Sequence, residues 1–199
     1  MSVDRKNDPA IEAAWVARTQ RQDLDAFSKI VDAYHSRVLG FVRRMVRNDE
    51  ESRDLTQEVF IRAFQAIQKF DGRSSLRTWL FRIAYNLCVD RARRNDRAPI
   101  TSSIDNTVED EETREFADDR WNPEDLVMNQ ELGTVVESAL ETMSEKLRTV
   151  LLLHDKEDMA YEEISTVVGI PVGTVKSRLF LARAHMQQSV GRYLTWGRA

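Results

Sequence analysis

The chain has 199 residues, with 29 Lys and Arg against 33 Asp and Glu for a formal charge of −4, and 42% apolar residues; at roughly 150 residues per domain that is one large domain or two small ones. Seven Gly and four Pro are too few turn formers for an all-β sandwich or barrel, and the longest unbroken apolar run, Ala13 to Ala17, falls far short of the roughly 20 residues of a membrane span. A single cysteine, Cys88, excludes an internal disulfide framework or a Cys-based zinc site, and with no apolar signal segment behind Met1-Ser2-Val3-Asp4 the chain is expected to be soluble, cytoplasmic and without direct membrane insertion.

The periodicity is helical almost throughout. Asp8-Pro9 is an N-cap followed by proline at the first helical position, opening a short helix through Trp15. Phe27, Ile30, Val31, Tyr34, Val38, Phe41, Val42 and Met45 recur at three- and four-residue steps and predict one apolar stripe on a long helix. After a break at Asn48-Asp49, Leu55, Val59, Ala63, Phe64 and Ile67 mark another. Phe70 to Ser75 is a loop punctuated by Gly72, with Ser74 or Ser75 as the next N-cap. The following helix buries Leu76, Trp79, Leu80, Ile83 and Leu87 and runs out in Arg91 to Arg94.

Charge then changes sign along the chain. Residues 1–100 carry a net +5, residues 101–125 a net −8 and residues 126–199 a net −1. The strip Thr101 to Asp119 has few apolar residues and no helical period, so it is read as an acidic flexible linker between two small helical domains. Beyond it, Asn122-Pro123 repeats the cap-then-proline signal ahead of a helix running toward Leu140. Ser144-Glu145 caps a helix lined by Leu147, Val150, Leu151 and His154. A short helix from Tyr161 to Val168, a turn at Gly169-Ile170-Pro171 and a last helix from Val172 to about Arg192 complete an all-α fold.

Two segments carry chemistry. Short helix, glycine turn and amphipathic helix form a helix-turn-helix pattern. With Val175, Leu179, Ala182 and Met186 inward, Thr174, Lys176, Ser177, Phe180 and Arg183 face outward and Arg178 lies on the flank, a set suited to phosphate anchoring and base-edge contact. An ordinary helical hairpin with solvated charges fits the same spacing. The second segment, Phe70 to Arg94, has six Arg and two Asp interleaved with Phe70, Trp79, Phe81 and Tyr85. Arg82, Asn86 and Arg93 share a polar face with Phe81 and Tyr85 beside it, as single-stranded nucleic acid requires, while Trp79 alone reads as core. A core helix with solvated arginines is the alternative.

The runs Asp54 to Phe64 (DLTQEVFIRAF), Phe70 to Asn86 (FDGRSSLRTWLFRIAYN), Tyr161 to Ile164 and Val172 to Phe180 (VGTVKSRLF) resemble bacterial extracytoplasmic-function sigma factors, small initiation subunits of RNA polymerase. The resemblance covers about residues 25–97 and 122–190. It implies an N-terminal extension over 1–24, a region 2-like domain over 25–97 that binds the polymerase clamp and the melted minus-ten element, a linker over 98–121, and a region 4-like domain over 122–192 that reads the minus-thirty-five element as duplex. Core polymerase through its clamp and flap regions, promoter DNA and an anti-sigma factor are the implied partners. Asp54, Gln57, Glu58 and Ile61 match the clamp-binding face. Asp71, Arg73, Ser74 and Ser75 match the loop that captures a flipped base, and Asn86 matches a base-reading position. Three positions depart from the pattern. Asp90 stands where many relatives have a neutral polar residue, Leu181 replaces a common basic residue, and Ala160 occupies a position that is usually Ser before Tyr161, where a lost cap costs about 1 kcal/mol.

His35, His154 and His185 are scattered without ligand spacing, and Cys88 reads as a small core residue, so neither metal nor cofactor is expected. The acids Glu109 to Glu112 read as a solvated run or, by the resemblance, as a nucleic-acid mimic. No phosphate loop, nucleophile elbow or catalytic carboxylate pair occurs, and no enzymatic activity is expected. A sigma-like decoy for an anti-sigma factor would lack the cations Arg82, Lys176, Arg178 and Arg183, and a conventional repressor would leave the Asp54 to Asn86 runs unexplained.

Overall fold

The computed structural model describes residues 8–96 and 130–196, and every regular element among them is helical: α1 (Pro9–Thr19), α2 (Leu24–Val46), α3 (Asp49–Ala66), α4 (Leu76–Asp96), α5 (Gln130–Thr142), α6 (Glu145–Leu151), α7 (Tyr161–Val168) and α8 (Val172–Trp196). They divide into two compact units, one built on α1–α4 and one on α5, α6, α8 and the first part of α7, with Thr166–Val168 grouped with the first. The acidic strip and the cap at Asn122-Pro123 lie outside the described residues.

In the first unit the caps act where the sequence places them. The Asp8 carboxylate accepts from Ala10 N at 2.9 Å with Pro9 at the first position, and α1 continues past Trp15 because Val16 and Thr19 are buried and the Thr19 hydroxyl donates to Trp15 O at 2.8 Å. Asp23 caps α2 by accepting from Ala26 N at 3.0 Å and pairs with Arg18 at 2.7 Å. The Ala26 amide first, and Arg18 second, hold its carboxyl below the ordinary value of 3.8. Asn48 caps α3 through Glu51 N at 3.0 Å, after α2 has ended at Arg47 in the left-handed conformation (φ 62°). Ser75 is the cap of α4, its hydroxyl accepting from Thr78 N at 3.0 Å.

The predicted stripe of α2 becomes the centre of the bundle. Ile30, Tyr34, Val38, Phe41 and Val42 are buried against Val59, Phe60 and Ala63 of α3 and Leu80, Phe81 and Ala84 of α4. The buried hydroxyl residues of α3 bond within their own helix, Thr56 Oγ1 donating to Ser52 O at 2.7 Å, so α3 packs without an orphaned donor there. Gln20 then ties the end of α1 to the turn after α3. Its side-chain amide donates to Ile67 O at 3.0 Å and Phe70 O at 2.9 Å, which fixes where the Phe70 loop starts.

In the second unit, Val150, Leu153, Met159, Ile164, Val175, Leu179, Ala182 and Met186 form the core. The four predicted inward residues of α8 are all there. Arg148 is buried, and its guanidinium donates to Leu140 O at 3.2 Å and Met143 O at 3.5 Å, closing the carbonyl end of α5 with a positive charge. Helix α6 widens into π-type turns over Leu152–Lys156, which swing His154 and Asp155 toward α8. Gly169 ends α7 at φ 76°, a left-handed value that an L side chain strains to adopt, and turns the chain into α8.

Candidate nucleic-acid interface

On α3, Asp54, Gln57 and Ile61 follow one another at three- and four-residue steps and are exposed, with Glu58 half-buried beside them. Ile61 keeps 45% of its surface open, large for an isoleucine flanked by a packed bundle. Glu58 pairs with Arg62 at 2.6 Å along the helix. Gln65, one further step along, is exposed on the same stripe and extends the face the sequence delimits at Ile61; the four-residue step from Ile61 was the available signal.

The loop after α3 is a tight polar turn. Arg73 N donates to the Asp71 carboxylate at 3.1 Å and its guanidinium pairs with the same group at 2.9 Å, while Gly72 sits at φ 72°. The Arg73 side chain is 89% exposed. Ser74 is half-buried, and the Ser75 hydroxyl is engaged at the start of α4, bonded to Thr78 Oγ1 at 2.7 Å as well as to its amide. Ser75 is therefore committed to the helix start, a role the sequence offered it alongside Ser74.

Helix α4 corrects the aromatic part of the sequence reading. Phe81, expected beside the polar face, is fully buried, its ring edge-on to Phe41 with centroids 5.5 Å apart. Its step from Arg82 places it on the core side. Trp79, expected in the core, is half-buried and packs on Phe70 with ring centroids 5.0 Å apart. Steps of three, four and seven put Trp79 on the same face as Arg82, Asn86 and Arg93, which are exposed. Tyr85 is half-buried at the margin. Asp90 is exposed and lies a four-residue step beyond Asn86, so an acid shares the exposed polar face of α4. Arg91 turns away to pair with Glu51. Cys88 is buried in the core, as its apolar neighbours predict.

On α8, Lys176, Ser177 and Phe180 are exposed and Thr174 and Arg178 half-buried. Lys176 Nζ stands 5.7 Å from the Tyr161 ring centre, and that ring stacks on His154 at 5.3 Å. The Ser177 hydroxyl donates to Gly173 O at 3.0 Å and keeps its lone pairs as acceptors. Arg183 departs from expectation. Its side chain is only 17% exposed and donates to Asp155 Oδ1 at 3.2 Å, with His154 Nδ1 donating to the same oxygen at 2.7 Å. The outward cation of the helical count is instead the α8 half of an ion pair that holds the π-type turns. Ala160 has no side-chain oxygen to cap α7, but Glu163 accepts from Ala160 N at 3.1 Å and so keeps half of a capping box.

Among the described residues no group of three or more metal-ligating side chains occurs, and no single helix is long and apolar enough to cross a membrane. Comparison with known proteins aligns with both units. The family described as Sigma-70 region 2 matches residues 30–98, and that described as Sigma-70, region 4 matches residues 134–186. The chain is 37% identical over 178 residues to the RNA polymerase sigma-H factor of Pseudomonas aeruginosa, covering 88% of this chain and 91% of the relative. To the ECF RNA polymerase sigma-E factor of Escherichia coli it is 35% identical over 176 residues, covering 88% and 92%. Among solved structures, CnrH in complex with the cytosolic domain of CnrY superposes with a TM-score of 0.66 at 23% identity, over 92% of this chain and 98% of that one. The sigma factor RpoE from Bartonella quintana, solved with the anti-sigma factor NepR, gives 0.62 at 20% identity over 83% and 96%.

Proposed function

The chain belongs to the extracytoplasmic-function sigma factors of RNA polymerase, and from that premise we propose a division of labour among its surfaces. The exposed stripe Asp54, Gln57, Glu58 and Ile61 of α3 meets the polymerase clamp. The Asp71–Ser74 turn and the Trp79, Arg82, Asn86, Arg93 face of α4 take the melted minus-ten strand. The α8 face with Thr174, Lys176, Ser177, Arg178 and Phe180 reads the minus-thirty-five duplex. The observation that carries this reading is the α4 face, where one half-exposed aromatic, two arginines and an amide lie together on a rigid helix. Stacking on such a ring is worth about 1–3 kcal/mol per base, enough to offset the few kcal/mol needed to unstack one from a duplex.

The protein supplies positions and contacts rather than a reaction, and acts in the cytoplasm, where promoter and polymerase are. An anti-sigma factor is its proposed restraint. CnrH and RpoE were each solved with a partner, and Leu24, Ile61 and Phe64 leave exposed apolar surface on the first unit for such a protein to cover. Reconstituted transcription with bacterial core polymerase tests the function as a whole. Discrete start sites that depend on the added chain are expected; folded protein that yields none with a competent core enzyme overturns it.

A further inference from the structure

At about 100° per residue, the buried side of α8 falls on Val175, Leu179, Ala182 and Met186, and the centre of the opposite side on Gly173, Ser177, Phe180, Leu181 and Ala184. All five are exposed. Lys176 lies on one margin of that face and Arg178 on the other. Arg183, the remaining cation of this stretch, is turned to Asp155. The helix thus has an uncharged centre between two cationic margins, and the centre holds two adjacent large apolar residues, Phe180 at 45% and Leu181 at 41% exposure.

We propose that Leu181 is a specificity-determining residue that reads the 5-methyl group of a thymine in the upstream duplex element. The proposal rests on the assignment of α8 to that duplex. A recognition helix in a major groove meets phosphates along its margins and base edges at its centre. Margins that carry Lys176 and Arg178 fit the two phosphate walls. From Gly173 to Ala184 that centre has no cation, amide or carboxylate, the bidentate groups that select guanine, adenine or cytosine; the exposed amide of Gln188 comes one turn beyond Ala184. What the centre offers is a branched apolar surface beside the Ser177 hydroxyl, and the apolar feature of a major-groove base edge is the thymine methyl. The preferred upstream element therefore contains a thymine facing Leu181, and guanine is not selected there.

Deoxyuridine tests this directly, because replacing thymine by uracil removes one methyl and leaves every hydrogen-bonding group. Holoenzyme assembled from the full chain and core polymerase is used to select its upstream element from a randomised promoter library. Each upstream thymine is then replaced in turn and affinity measured by competition. At one position uracil is expected to weaken binding about four-fold, the worth of one buried methyl. In Leu181→Ala, an exposed position whose truncation leaves the core intact, thymine and uracil should bind alike there. Leu181→Arg should shift that position toward guanine. Uracil without effect at every thymine, or an equal penalty in Leu181→Ala, overturns the proposal. Lys176→Ala and Arg178→Ala separate the two layers. If both leave affinity and its salt dependence unchanged, the assignment of α8 to the duplex fails and Leu181 with it. If both weaken binding while uracil is neutral, only the reading of Leu181 fails.

Discussion

Replacing Arg183 by alanine separates a structural cation from a DNA-binding one. In the native fold its guanidinium donates to Asp155 Oδ1 at 3.2 Å, with 17% and 10% of the two side chains exposed. The other Asp155 oxygen is buried without a hydrogen-bond partner, so Arg183→Ala leaves a largely dehydrated carboxylate with only the His154 contact. Breaking a fully buried pair costs about 3–5 kcal/mol and an exposed one about 0–1, and the residual exposure here places the loss at about 2 kcal/mol. Where local opening limits exchange, that is about a 30-fold faster amide exchange across α6 and α8. Exchange in α2 and α4 should be unchanged. The salt slope of duplex binding by holoenzyme should also stay as it is if the Asp155 pair keeps Arg183 from any phosphate. Asp155→Ala should soften the same segments, and Arg183→Ala with Asp155→Ala should cost less than the two single losses added. Native exchange together with a salt slope reduced by about one would refute this reasoning and return Arg183 to the DNA face.

Other outcomes follow from the same geometry. Phe81→Ala should cost about 3–5 kcal/mol of stability by emptying the site against Phe41, whereas Trp79→Ala should leave a folded protein that forms open complexes poorly; thermal unfolding and permanganate footprinting check the pair. Gln57→Ala with Glu58→Ala should weaken binding to core polymerase in a pull-down titration while helical circular dichroism stays native, since the lost Glu58–Arg62 pair is worth about 0.5 kcal/mol or less. Asp23 carries a carboxyl lowered from 3.8 in the fold, so the folded state releases a proton that the unfolded chain still binds; its stabilisation is present above that value and fades as the pH falls below it. Asp23→Ala should therefore unfold more readily than the native chain at neutral pH, with the gap closing in acid titrations followed by circular dichroism.

The helices were legible because caps and apolar steps act locally. Asp8, Asn48 and Gly169 each mark a boundary with chemistry that needs no tertiary partner. The aromatic assignments were not, because Phe81 and Trp79 sit on one helix among residues of mixed polarity, where several faces have similar apolar content. Only the packing of α4 against Phe41 shows which face is inward. Arg183 was misplaced for a related reason. At about 100° per residue it falls on the flank of α8, one four-residue step from buried Leu179 and not on the outer face, and its partner Asp155 arrives from π-type turns that no apolar period announces. Long cationic side chains reach back across a helix to such a partner, so a position on a helical wheel fixes the Cβ direction and not the charge.

That distinction also accounts for a DNA-binding chain with net charge −4. Affinity for phosphate depends on cations that face the duplex, and on α8 the face is bounded by Lys176 and Arg178, with Arg183 withdrawn into its ion pair. On the proposed reading, two margin contacts would release about two counterions, against the six to ten of proteins that make that many phosphate contacts. Isolated, the second unit should therefore bind duplex weakly and with a shallow salt slope. Within polymerase, contact through α3 and the α4 face would hold promoter and protein together, and a weak, largely uncharged α8 surface can then discriminate between sequences without trapping the enzyme on non-specific DNA.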